Sequence, residues 1–348
     1  MSLKPERIAA AARARQGALI GLLSARADAI GEALARSHGL VAWERQKLIG
    51  RVQRGLWALR ERRFPGVGGP PARVCERRDQ PLAALLVVSQ LLRQGRRVHL
   101  EGEVGASTIA AELLGELGDA SGELVAEALT LGAPGEPPPA GVAGWELAGV
   151  EPARARVAGV HAEADPELAA YALALACLRR AGAEPRRVVR AHVAGATQRL
   201  ERHLHRLWVG AAIGPPEDPE VFAGPSAPAL ARAYADSLSA WTGRAGVRVL
   251  CPGGQLERPG DPRVYLAPAL LRAPEPADVP VAGPLLVLHP CEPAALDAAL
   301  AGCRAQGLEI LALGPEAWRQ RVGTPPLSPL QPLAPGRLPP GLPEPRPT

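Results

Sequence analysis

The stretch DQPLAALLVVSQLLRQGRRVHLEGEVGASTIAAELLGELG, residues 79–118, decides the fold. Its first half carries Leu, Ala and Val at helical spacing over 81–94, with Pro81 at the entry and Gly95 as a left-handed stop. A short apolar run, 97–101, reads as a strand, and a second helical pattern covers 106–117. Helix, strand and helix joined by short links bring successive strands parallel, with helices on both faces of the sheet.

Outward toward the N-terminus, Ile8, Leu19, Leu22, Leu23, Ile30 and Leu34 mark one or two amphipathic helices over 5–37, and a further helical run covers 41–62. FPGVGGPP, 64–71, is a turn-rich break, and GAPGEPPPAGVAG, 132–144, a linker. Alternation resumes after 152. DPELAAYALALACLRRAG, 165–182, opens on Asp165 as N-cap with Pro166 at the first helical position. A strand over 187–193 and a helix over 195–207 follow, then the Pro/Gly-dense loop VGAAIGPPEDPEVFAGP. Helix 226–243, strand 247–251, two strands in RVYLAPALL and PVAGPLLVLHP, helix 293–306, strand 308–313 and a short helix over 315–321 complete the pattern. Residues 323–348 are Pro-rich and are expected to be extended or disordered, without a core of their own. The expected architecture is α/β: a Rossmann-like parallel-sheet domain over 1–145, a second α/β domain over 146–322, and the Pro-rich tail.

Composition narrows the chemistry. At 348 residues and 47% hydrophobic, the chain can bury a substantial core, built from Leu, Ala and Val because aromatics are only 3%. Lysine occurs only at Lys4 and Lys47, so no later position offers a Schiff-base amine. The net charge of +5 is spread among interleaved acidic residues. The densest basic run, RRVVRAH over 186–192, lacks aromatic stacking partners and reads as a solvated edge rather than a nucleic-acid surface. Five widely spaced cysteines (Cys75, Cys177, Cys251, Cys291, Cys303), never CxxC, argue for a reducing compartment and against a zinc site. The N-terminus has no apolar signal region and no run is long enough to span a membrane, so a soluble, cytoplasmic protein is expected. His203 and His205 lie two apart on a helix and do not share a face, so no metal site is expected.

The serial order of several segments resembles the aldehyde dehydrogenase superfamily over about residues 79–320. DQPL looks like the family's N-F-P-L, RRVHLEGE stands at its K-P-S-E strand, and WELAGVEP looks like E-L-G-G-K-x-P. AGAEPRRVVRAHV occupies the place of the Cys-bearing segment. LWVGAAIGPPEDPEVFAGP, VYLAPALL and VAGPLLVLHP match later landmarks in family order. The resemblance implies a Cys nucleophile, an Asn and a backbone amide steadying the oxyanion, NAD(P) as hydride acceptor, and a Glu that activates water.

Carried onto this chain, the resemblance puts the nucleophile position at Gly182, which has no side chain; the nearest sulfur is Cys177, on an apolar helix. The oxyanion position is Asp79, which has no N–H to donate and reads more simply as a helix N-cap. The ribose-binding Lys falls at or beside Glu101, a cofactor-binding candidate because its carboxylate can accept a ribose hydroxyl although it would repel a nearby phosphate, and no G-S-T-x-x-G phosphate loop is present. Glu146 stands at the general-base position and is the one catalytic side chain retained. Three readings follow. The first is a non-catalytic aldehyde dehydrogenase-like scaffold or regulatory subunit, without cofactor, partnered by an active relative or by a protein docking the Pro-rich tail. The second is an active NAD- or NADP-dependent oxidoreductase with relocated groups, Cys177 and Glu146. The third is a binding module for a small molecule or partner.

Overall fold

The structure, a computed structural model, describes residues 4–64, 66–103, 106–121, 127–133, 136–139, 144–148, 155–195, 197–277, 279–322 and 339–344. The chain divides into two units, one of residues 1–37 and 45–152, the other of residues 38–44 and 153–348.

The N-terminal periodicity yields α1 (Pro5–Ala25), α2 (Ala27–His38) and α3 (Ala42–Glu61), all in the first unit except residues 38–44, which belong to the second. Their buried faces include Leu19, Leu23, Leu34, Val52 and Leu56. The 79–118 stretch folds as expected, into α4 (Ala83–Arg93), β2 (Val98–Gly102) and α5 (Ile109–Ser121). Gly95 takes φ +75, the left-handed stop that ends α4. The second helix starts three residues late because the Ser107 hydroxyl takes the Ile109 amide at its entry. Three strands that the sequence pattern does not announce complete the sheet: β1 (Ala72–Glu76), β3 (Leu129–Leu131) and β4 (Glu146–Leu147). Their order is β3-β2-β1-β4, all parallel, with Ala72 facing Val98 on one side and Glu146 on the other.

The second unit holds β5 (Arg156–Val160), α6 (Pro166–Leu178), β6 (Val188–Ala194), α7 (Gln198–Gly210), α8 (Pro228–Thr242), β7 (Arg248–Arg258), β8 (Asp261–Arg272), β9 (Leu285–Cys291), α9 (Leu296–Ala305), β10 (Glu309–Leu313) and α10 (Glu316–Arg321). Its sheet runs β10-β5-β6-β9-β8-β7, parallel except for the antiparallel edge strand β7. Both faces are covered, and the strands alternate accordingly. Leu286 and Leu288 join α6 and α7 in one core, whereas Leu285 and Val287 pack with α8, and Ala194 with α9 and α10. Strand β7 is longer than expected: PGGQLER reads as a loop because of Gly253 and Gly254, but β8 offers a full partner, and the hairpin closes at Gly260, φ +79.

The expectation for the Pro-rich tail falls mostly outside the described residues. The described piece, 339–344, packs rather than floats: Leu342 is 7% exposed within the α6/α7 core, and the Ala212 amide donates to the Gly341 carbonyl at 2.7 Å. No helix among the described residues is long and apolar enough to cross a membrane.

Candidate functional site

The segment that should carry a nucleophile connects α6 to β6. Helix α6 begins as the sequence indicates, the Asp165 carboxylate accepting the amides of Glu167 and Leu168 at 2.9 Å each. It ends at Leu178, and a tight turn, Arg179–Gly182, follows. Arg180 and Ala181 both adopt left-handed backbone, at φ 52 and 50, and Gly182 continues it at φ 78. A left-handed non-glycine residue costs about 1–2 kcal/mol, so two in succession need external support. Part of that support is Glu44, whose buried carboxylate takes the Arg180 amide at 2.6 Å and the Val41 amide at 3.3 Å. Burial pushes the Glu44 carboxyl up to about 7, opposed by those two amides and by the charges of Arg180 and Arg179. Trp43, next in sequence, stacks on Phe222 at 5.3 Å between ring centroids and donates to its carbonyl.

Gly182 sits against the backbone of the Gly283–Pro284 segment. A Cβ there would lie 2.1 Å from the Gly283 carbonyl carbon and 2.3 Å from the Pro284 nitrogen. Both obstacles are main chain and cannot rotate away. Behind Gly283 lies the Tyr234 ring, 2.9 Å from where a Cβ on that residue would stand. The Tyr234 hydroxyl is already used: it donates to the Ala267 carbonyl at 2.7 Å and accepts the Gly254 amide at 3.2 Å. At Gly182, then, backbone is packed on backbone with an aromatic ring behind it.

Cys177 is fully buried in the α6/α7 core, among residues such as Leu173, Val188 and Leu286. Burial pushes its thiol up to about 12, with the charge of Arg187 opposing. At neutral pH roughly one such thiol in 10^5 is ionised, and a nucleophilic cysteine needs the thiolate and an open approach.

The remaining candidates lie in the first unit. The Asp79 carboxylate accepts from Arg77 Nε at 2.9 Å and from its second nitrogen at 3.2 Å. The entry of α4 is held from β1: the Glu76 carboxylate accepts the Leu82 amide at 2.6 Å and the Ala84 amide at 3.0 Å. Glu76 is buried, and desolvation raises its carboxyl to about 7 against the pull of these amides. Glu76→Ala would leave both amides without an acceptor, so a stability loss of about 2–3 kcal/mol is expected, read from urea melts. Glu76→Gln, which keeps one acceptor oxygen, should lose less.

Glu101, on β2, is 6% exposed by side chain and forms a two-point pair with Arg73, at 2.7 and 2.8 Å. The pairing takes one lone pair from each oxygen and neutralises the carboxylate's charge. The segment 132–144 lies only partly within the described residues. Glu146 begins β4, with its side chain 58% exposed and paired to Arg96 at 2.9 Å. It belongs to the first unit and Cys177 to the second.

The other sequence candidates also have structural roles. In RRVVRAH, Arg186 pairs with Glu309 at 2.6 Å, Arg187 donates to the Val281 carbonyl, and Arg190 donates to the Ala277 carbonyl. His203 lies 3.8 Å from Glu167. No cluster of metal-ligating side chains occurs among the described residues, and all five cysteines are free.

Sequence reasoning missed Glu44, Glu76 and Tyr234, and a pair of buried histidines, His192 and His289. Only Glu44 leaves a trace, because it stands at the third position of α3 and reaches back to the Val41 amide, half of a capping box whose other half needs Ser or Thr.

No protein-family model and no curated protein matches the chain by sequence. Solved structures do resemble it. A NAD-dependent benzaldehyde dehydrogenase from Corynebacterium glutamicum superposes with TM-score 0.73 at 16% identity, covering 92% of this chain and 79% of that one. The Delta-pyrroline-5-carboxylate dehydrogenase from Mycobacterium tuberculosis gives TM-score 0.68 at 16% identity, covering 91% and 68%. A bifunctional proline utilization A protein gives 0.72 at 16% identity over 92% of this chain, which spans 37% of that protein's length. Over 91–92% of its length, then, the chain has the aldehyde dehydrogenase fold.

Proposed function

We propose that this chain is a non-catalytic relative of the aldehyde dehydrogenases, a scaffold or regulatory subunit that uses the fold without the oxidation. The observation that carries this reading is Gly182, whose side-chain direction is blocked by backbone 2.1 Å away. Aldehyde oxidation of this kind starts with a covalent bond from the nucleophile to the carbonyl carbon. Cys177, the alternative sulfur, is sealed in the core as a neutral thiol. Asp79 would repel an oxyanion, and Glu101 is occupied by Arg73. Glu146 alone has no bound acyl group to hydrolyse, and it serves as the partner of Arg96. The chain acts in a reducing, cytoplasmic setting, without NAD(P), beside an active relative or a protein that binds the Pro-rich tail.

The test is direct. Purified protein should show no thermal shift with NAD or NADP, and no NAD(P)H absorbance should develop over a panel of aliphatic and aromatic aldehydes. The opposing reading, an active oxidoreductase with Cys177 as nucleophile and Glu146 as base, requires turnover that Cys177→Ala abolishes. Such turnover would sink the proposal. Under the proposal, Cys177→Ala changes only stability, by about 1 kcal/mol for a small buried group.

A further inference from the structure

In the second unit, β6 and β9 are neighbours whose following helices leave on opposite faces: α7 packs in one core and α9 in the other. The carboxyl ends of two such strands flank a crevice, the place where parallel sheets take ligands. The turn that carries Gly182 precedes β6 and therefore lies at the other end of the strands. Beside the crevice the structure has a cleft of about 600 Å³, lined by Gln198, Glu201, Arg202, His205, Arg248 and Arg272, with the apolar side chains of Val249 and Leu250 also in its wall. A second hollow of about 530 Å³ shares Arg248 and Arg272 and reaches Pro290 near the end of β9.

The charge here is one-sided. Three guanidinium groups face one carboxylate, and that carboxylate is committed. Glu201 accepts from the Thr197 hydroxyl at 2.9 Å and from Arg272 at 3.1 Å, which orients Arg272 at the end of β8. Arg202 and Arg248 have no carboxylate partner among the described residues. The first turn of α7, a 13-residue helix, adds its positive end. Planar guanidinium groups bind tetrahedral oxyanions at two points, and a cleft in the size range of small-molecule sites whose wall includes Val249 and Leu250 has room for an organic body as well.

We infer that this cleft is a binding site for a small phosphate monoester, distinct from the position of the lost nucleophile. Arg248 and Arg272 hold the phosphate on the wall between the two hollows, Arg202 closes over it, and Val249 and Leu250 carry the organic portion. The inference does not depend on whether the chain oxidises aldehydes.

The experiment is calorimetric titration of the full chain with glycerol phosphate, inorganic phosphate and glycerol, at ionic strength held constant with chloride. Glycerol phosphate should bind saturably at one per chain and glycerol should not bind. Inorganic phosphate binding more weakly assigns the site to an ester, and equal binding assigns it to free phosphate; either supports the site. Arg248→Gln and Arg272→Gln should each weaken binding at least tenfold. Val249→Glu, which places a carboxylate in the cleft wall without touching the Arg272–Glu201 pair, should do the same while melting like the parent. Glycerol phosphate binding no better than chloride, or affinity unchanged in Arg248→Gln and Val249→Glu, would overturn the inference.

Discussion

Gly182→Cys, which puts a thiol where the family resemblance expects the nucleophile, is expected to lower stability by about 3–5 kcal/mol and to yield no aldehyde oxidation. Two costs add. The residue sits at φ 78, where a side chain is strained by itself. Its Cβ would also stand 2.1 Å from the Gly283 carbonyl carbon, 2.3 Å from the Pro284 nitrogen and 2.4 Å from the Gly283 oxygen. Relief requires the strand entry at Pro284 to move, and Leu285 and Leu286, which follow, are fully buried on opposite faces of the sheet. A domain commonly has only about 5–15 kcal/mol in total, so the loss should be plain in a urea melt. Ala183→Cys is the control. Ala183 has φ −87 and is partly exposed, so a thiol there should cost less than about 1 kcal/mol. A Gly182→Cys protein as stable as its parent, with a thiol reactive toward alkylating agents, would contradict the packing described here.

The second large effect is acid sensitivity set by His289. His192 and His289 face each other across β6 and β9, with ring centroids 5.5 Å apart, and both are buried. They occupy the seam between the α8 core and the α9/α10 core. Trp241 of α8 lies 6.0 Å from His289, and Cys303 of α9 has its sulfur 3.6 Å from His192 Nε2. Neither ring nitrogen of His289 makes a well-formed hydrogen bond within the described residues. Burial lowers His289 to about 4, with the charges of His192 and Arg190 acting in the same direction and the Ala273 backbone opposing. Burial, then Arg190, also lowers His192. In the unfolded chain a histidine titrates near 6.5, so as pH falls from there the unfolded state takes up a proton that the folded state refuses. The stability contributed by neutral His289 is complete above about pH 6.5 and is lost as pH falls toward 4, on the order of 3 kcal/mol.

Glu44, in the same unit, works the other way. Its folded value near 7 lies above the ordinary 4.5, so its contribution is complete below 4.5 and is lost as pH rises through 7. Glu76, also raised to about 7, contributes in the same sense as Glu44, so the total pH profile mixes these groups and the decisive quantity is the difference between variants. His289→Leu should match or exceed the parent at neutral pH, since Leu fits an apolar seam, and should retain about 3 kcal/mol more than the parent near the acid limit. Equal acid losses in parent and variant would show that His289 is not the group responsible.

Local pattern was a good guide wherever an element declares itself within its own residues. The α4–β2–α5 succession, the Asp165/Pro166 start of α6 and the left-handed Gly95 are of this kind. Strand β1 was illegible because ARVCE turns Glu76 inward and Arg73 outward, and two charges in five residues hide the alternation. The interior place of Glu76 makes sense only once α4 docks its first amides on that carboxylate. The doubling of β7 was illegible for a related reason: a Pro-Gly-Gly segment becomes a strand only when β8 lies alongside to bond it.

The candidate site divides along the same line. The sequence alone determined which chemical groups are present: a glycine at 182, and carboxylates at 79, 101 and 146. It also determined that helices and parallel strands alternate, because both follow from short-range periodicity and capping. The tertiary structure decided what surrounds those groups. It set the Gly283 backbone against Gly182, sealed Cys177, spent Glu101 on Arg73, paired His192 with His289 across two strands, and gathered Arg248 and Arg272 beside Arg202. These are contacts between residues tens to more than a hundred positions apart, set by strand order and register, and no window along the chain contains both partners.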